Sequence, residues 1–234
     1  KTTITFKDYD KMIVEQHRVV TLFNKKGKED AGMALFYDDD IRVKNLEVLV
    51  YNALGEEIKK IKKRDFRDVN ASGGSTMYTD SRFYTIDYEP KDYPVTLVFN
   101  SEVKNSNTAF VSPWQPLTNH YQSVMKSEYE IIDEEGVGLR YEKSNFDFAD
   151  TVTFKKTQSG IQCSAENLSA IKNEDYSPSL KKFTPFLKVA LSKFELEGVE
   201  GTATSWQELG KWQYDNLING RDVISDATTQ EIKN

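Results

Sequence analysis

One thiol and two imidazoles are all that this 234-residue chain offers for building a strong nucleophile or a soft-metal site. Cys163 is the single thiol, and Ile161-Gln162-Cys163-Ser164-Ala165 alternates with period two, which puts it with Ile161 and Ala165 on one face of a strand. A catalytic thiolate needs a helix N-terminus or a nearby imidazole to lower its pKa, and this segment supplies neither, so the sequence predicts a buried structural cysteine. His17 lies within a strand pattern and His120 follows the loop-like Pro116-Leu117-Thr118-Asn119, so both read as ordinary polar residues. A lone cysteine forms no internal disulfide, and with two histidines it falls short of a zinc cluster.

Other groupings are weaker. Asp38-Asp39-Asp40, with Asp8 and Asp10, are hard oxygen donors of the kind that calcium takes six to eight of, but no calcium-loop spacing accompanies them and a solvated turn is expected. Lys59, Lys60, Lys62, Lys63, Arg64 and Arg67 interleave with Ile58, Ile61 and Phe66 as a nucleic-acid stripe would. The flanking Glu56, Glu57, Asp65 and Asp68 and the net charge of −6 argue instead for a solvated strand face, and no nucleic-acid partner is expected. Ser112 precedes Pro113-Trp114-Gln115-Pro116, which is not a nucleophile's context. No Gly-x-Ser-x-Gly elbow, phosphate-cradling glycine loop or His-Glu-x-x-His helix occurs. Trp114 and Tyr121 are the candidates for a sugar-stacking platform, although such aromatics also fill cores. The sequence therefore predicts no catalytic residue, no metal and no cofactor. A hydrolase built on a carboxylate pair stays open only if two Asp or Glu side chains meet in a cleft.

The elements that would position these residues are mostly strands. Hydrophobic residues make up 38% of the chain and aromatics 12%, enough for a core, and no apolar run approaches the roughly 20 residues of a membrane-crossing helix. Extended patterns run through Ile4 and Phe6, Met12–Phe23, Leu46–Tyr51, Arg82–Tyr88, Val95–Val103, Val124–Ile131 and Thr151–Lys155. Asn24-Lys25-Lys26-Gly27 reads as a hairpin turn. Ser72-Gly73-Gly74, Glu134-Glu135-Gly136-Val137-Gly138 and Gln158-Ser159-Gly160 mark further turns. Apolar residues on both faces of Leu46–Tyr51 predict a central strand. With no strand-helix-strand alternation, a parallel sheet is not expected, and the fold class is all-β, a large antiparallel β-sandwich with a short C-terminal amphipathic helix. After Gly201 the pattern changes. Ser205-Trp206-Gln207-Glu208 fits a capping box, Trp206, Leu209, Trp212 and Leu217 form a helical stripe that seeks a partner surface, and Asn219-Gly220 is the expected stop. Ser225 to Asn234 starts another helix and reads as cut in mid-element. Residues 1–200 are thus a β-domain and 201–234 a helical connector.

The order of these motifs resembles a known family. Phe6-Lys7-Asp8-Tyr9-Asp10-Lys11-Met12, Val19–Gly27, Leu46–Gly55, Asp92–Phe99 with Ser112–Pro116, Ser127–Ile131 and Thr204–Trp212 are similar in sequence and order to the bacterial domain of unknown function that precedes transglutaminase-like, papain-type domains. The resemblance implies an exported protein, periplasmic or at the cell surface. It also implies a downstream partner domain that carries the Cys-His-Asp triad, with 201–234 leading toward it. Cys163 does not match that triad, because it lies upstream of the connecting helix and no His follows it. The expected function is a noncatalytic accessory module that positions substrate or packs through Trp206, Leu209, Trp212 and Leu217. The alternative is an independent binder of carbohydrate or peptide through Trp114 and Tyr121.

Overall fold

A computed structural model of the chain describes residues 1–71, 80–221, 224, 225, 228, 230 and 232. Its strands are β1 (Thr2–Asp8), β2 (Lys11–Leu22), β3 (Gly32–Tyr37), β4 (Ile41–Tyr51), β5 (Glu57–Lys62), β6 (Arg67–Asn70), β7 (Arg82–Asp87) and β8 (Val95–Asn105). They continue with β9 (Val124–Asp133), β10 (Leu139–Ser144), β11 (Thr153–Thr157), β12 (Gly160–Leu168), β13 (Phe186–Leu191), β14 (Lys193–Leu196) and β15 (Val199–Thr202). Helix α1 (Trp206–Gln213) continues into a π-helical turn, Tyr214–Ile218. Half of the residues are in strands, so the protein is mostly β. Among the described residues no sheet closes into a barrel.

Eight strands form the main sheet in the order β11-β12-β9-β1-β2-β8-β4-β5. Its long strands bury one row and expose the other. In β8 the residues Val95, Leu97, Phe99, Ser101 and Val103 are buried while those between them are not, which is the period-two consequence of the pleat. Two apolar clusters cover the buried face. Around β4, β5 and β8, Leu46, Val48, Val50, Ile61, Leu97 and Phe99 pack with Met33, Leu35, Tyr84 and Ile86 of the three-stranded sheet β3-β7-β6. Around β1, β9 and β12, Ile4, Phe6, Tyr129, Ile131, Ile161 and Cys163 pack with Leu187, Val189 and Leu191 of the β10-β13 pair and Phe194 of the β14-β15 hairpin. Strand β4, expected to be central, is interior but penultimate, lying between β8 and the edge strand β5 with one face buried and the other half-buried or exposed.

Two expectations are corrected. Asn24–Gly27 is not a hairpin turn. The Asn24 side chain accepts from Lys26 N at 2.9 Å and caps a 3-10 helix, Lys25–Ala31, that carries the chain from the main sheet to β3 in the other sheet. The main sheet is not wholly antiparallel, since β1 pairs parallel with β9, Thr2 opposite Tyr129 and Phe6 opposite Asp133. Parallel partners need a long connection, and here other strands supply it in place of a crossover helix. The expected turn at Ser72-Gly73-Gly74 lies outside the described residues. So does most of Ser225–Asn234, where Ser225 Oγ accepts from Thr228 N at 3.2 Å.

Candidate functional site

The residues with reactive chemistry are not assembled. Cys163 is 3% exposed on the inner face of β12, and burial pushes its thiol up to about 12, the direction opposite to that of a nucleophile. His17 lies on the outer face of β2, and His120 lies in the connection between β8 and β9. Trp114 corrects the sugar-platform reading. It is 4% exposed, its backbone pairs both ways with Leu187, and its indole Nε1 donates to Ser127 Oγ at 2.9 Å, so the ring is core and cannot face a ligand. Tyr121 is exposed, with φ of 61°, and donates its backbone N–H to Ile171 O at 2.9 Å.

The acidic and basic runs serve the fold. Asp38 Oδ1 accepts from Asp40 N at 3.0 Å and Ile41 N at 2.8 Å, closing the β3–β4 turn, and Asp40 Oδ1 accepts from Ser106 Oγ at 2.8 Å. Among the described residues no group of three or more His, Cys, Asp or Glu is arranged to hold a metal ion. Lys63 Nζ donates to Val43 O at 2.7 Å and lies 5.0 Å from the Tyr84 ring centre. Lys59 lies over Tyr88, and Arg67 pairs with Asp87 at 2.9 Å.

A cleft of about 370 Å³ lies on the solvent face of the main sheet, where β1, β2, β8 and β4 run side by side. Two cross-strand rows floor it. Thr3, Glu15, Glu102 and Asn45 make one, and His17, Asn100 and Glu47 make the other. The second row is linked by hydrogen bonds. His17 Nδ1 lies 2.7 Å from Asn100 Oδ1, Asn100 Nδ2 donates to Glu47 Oε1 at 3.3 Å, and Lys60 Nζ approaches Glu47 Oε2 at 3.0 Å. Hydrogen bonding from Lys60 holds the Glu47 carboxyl below its usual range. Because Asn100 uses its amide nitrogen on Glu47, its oxygen faces His17, and Nδ1 carries the proton in this pair. In the first row Glu15 and Glu102 face each other directly, Lys1 also lines the cleft, and among the described residues neither carboxylate has a hydrogen bond or ion pair. Opposed like charges destabilise a strand pair. The row therefore suits a cationic or hydrogen-donating guest. This ladder is invisible in the sequence, where its members are scattered outward-facing polar residues of three strands; only the register brings them together.

The helix is the second candidate surface. Ser205 Oγ accepts from Glu208 N at 3.2 Å, as the motif predicts, while the Glu208 carboxylate receives the Thr204 N–H at 2.6 Å and the Thr204 hydroxyl at 2.8 Å. Those bonds hold the Glu208 carboxyl below its usual range. The predicted stripe divides. Leu209 and Trp212 dock on their own domain, Trp212 edge-on to Phe194 at 5.1 Å with its Nε1 donating to Glu200 O at 2.8 Å. Gly201 makes the fit possible, because a Cβ there would lie 2.5 Å from the Phe194 ring and 2.9 Å from Trp212. Trp206 is 84% exposed and Leu217 half-buried. With Tyr214 and Ile218, four and eight positions beyond Gly210, Trp206 forms an uncovered ridge.

The family model described as a Domain of Unknown Function with solved-structure structure (DUF3857) matches residues 10–172. No curated protein matches the chain. Among solved structures, a putative protease from Parabacteroides distasonis ATCC 8503 is similar with a TM-score of 0.64 at 12% identity, over 81% of this chain and 39% of that one. At that identity the likeness is one of fold, and the chain spans about two fifths of that protein's length.

Proposed function

This chain belongs to the DUF3857 family, and on that premise we propose that it is a noncatalytic accessory module, of sandwich architecture, within an exported transglutaminase-like or protease-like protein. The observation that carries this reading is the coverage: the shared fold takes up 39% of the neighbouring putative-protease structure, so there the module accompanies a larger remainder. The buried Cys163 and the uncovered ridge of Trp206, Tyr214 and Ile218 support it, the first as a thiol held out of chemistry and the second as a surface for an attached domain. The test is calorimetry of this chain and of the full-length protein, each with and without the paired changes Trp206→Ser and Ile218→Ser. The pair is expected to leave the isolated chain within about 0.5 kcal/mol of wild type, as exposed positions do, and to uncouple the unfolding of the attached domain. Peptide turnover by the isolated chain that is lost in Cys163→Ser overturns the proposal.

The cleft favours a second reading, an independent binder of peptide or glycan. Its uncompensated Glu15–Glu102 pair suits a ligand that presents an ammonium or guanidinium group. Titration with a Lys-rich peptide and with a neutral oligosaccharide separates the two ligand classes, and Glu102→Gln is expected to weaken the first only.

A further inference from the structure

Glu195, in β14, is a buried carboxyl without a full set of partners. The residue is 6% exposed, its Oε1 accepts from Gly198 N across the β14–β15 turn, and its Oε2 is buried with no hydrogen bond. Three segments close over it. From the stretch after β8, Thr108 N and Ala109 N donate to Glu195 O at 3.0 and 3.1 Å, and Thr108 Oγ1 accepts from Glu195 N at 3.0 Å. The same hydroxyl donates to Tyr9 O in the β1–β2 turn. The β3–β4 turn joins through Asp40, which receives Ser106 Oγ.

The charges facing the carboxyl are of its own sign: Asp10 from the β1–β2 turn, Asp40 from the β3–β4 turn and Glu197 from its own hairpin. The hairpin's ammonium is engaged elsewhere, since Lys193 Nζ pairs with Glu200 at 3.2 Å and lies 4.1 Å from the Tyr9 ring centre. Tyr9 in turn is raised by Glu200. Burial and these like charges disfavour the carboxylate, and the Gly198 N–H that Oε1 accepts offsets them only in part.

We propose that Glu195 is the latch of a pH-sensitive clamp that fixes the β14–β15 hairpin, and with it α1, to the rest of the domain. The helix follows the hairpin because Trp212 is seated on Phe194, Gly201 and Glu200 O of those two strands. Burial, aided by the acidic neighbours, raises the Glu195 pKa above the ordinary glutamate value. A raised folded-state value means that the stabilisation is complete below the unfolded pKa, about 4.3, and is lost as pH climbs through the folded value. The clamp is closed in acid and loosened toward neutrality, whatever the ridge on α1 docks against.

Native-state hydrogen exchange of the whole chain, read by mass spectrometry between pH 5 and pH 8 and corrected for intrinsic rates, tests this. Protection over 193–203 and 206–218 is expected to fall with pH by up to about tenfold per unit, the limit for linkage to one proton, while β4 and β8 hold steady. Glu195→Gln, neutral at every pH, is expected to abolish the fall. A pH-independent wild type, or a fall that persists in Glu195→Gln, overturns the proposal. Should that variant fail to fold, the ¹³Cδ titration of Glu195 in the wild type decides: a midpoint above the ordinary glutamate value supports the latch, and one at or below it refutes the latch.

Discussion

Cys163 illustrates how far a single residue can be read. The alternation Ile161-Gln162-Cys163-Ser164-Ala165 places the thiol inside because its strand has one buried face, and the structure puts all three apolar members in one cluster. With the thiol at 3% exposure and raised to about 12, a disulfide reagent such as Ellman's is expected to react only as fast as the protein opens, and quickly in urea. Cys163→Ser, which buries a hydroxyl, is expected to cost about 1–3 kcal/mol in urea unfolding. Glu195 was not legible in this way. Its neighbours Phe194 and Leu196 mark a strand, but the carboxyl is covered by residues near positions 9, 40 and 108, which only the topology assembles. Glu15 and Glu102 are likewise remote in sequence and become a pair only through register.

Elements with local signals were readable and those that depend on partners were not. The Ser205-x-x-Glu208 pattern locates the start of α1, since both cap bonds form within four residues. Ser205→Ala is expected to cost about 1 kcal/mol, seen as lost helical circular dichroism. The Glu208 carboxyl is lowered by the Thr204 bonds, so its contribution is present above the unfolded pKa and fades as pH falls through the lower folded value. Acid below about pH 4 is therefore expected to fray α1 from its N-terminus, opposite in sign to the clamp at Glu195. Gly201→Ala is expected to unseat Trp212 from Phe194, shifting indole emission to the red and destabilising by about 1–3 kcal/mol. The 3-10 helix after Asn24 looked like a hairpin because turn and cap share Asn and Gly. What separates them is the next strand's choice of sheet, which is tertiary information.

At the scale of the whole molecule, the folding unit exceeds the segment shared with the family model. That segment begins at residue 10, yet β1 precedes it, with Ile4 and Phe6 fully buried, and joins β2 to β9. It ends at residue 172, yet Leu187, Val189, Leu191 and Phe194 complete the second cluster. A fragment limited to 10–172 is expected to show no cooperative thermal transition, and the 234-residue chain is expected to show one. Restoring 1–9 alone is not expected to rescue it. The parallel β1–β9 seam also carries a consequence for biosynthesis. As the polypeptide leaves the ribosome, β1 can zip to β2 at once, but its other margin must wait for residues 129–133. Until then the nascent chain displays an unmated strand, the kind of template on which foreign chains nucleate aggregates, and holdase chaperones are expected to engage it during that interval.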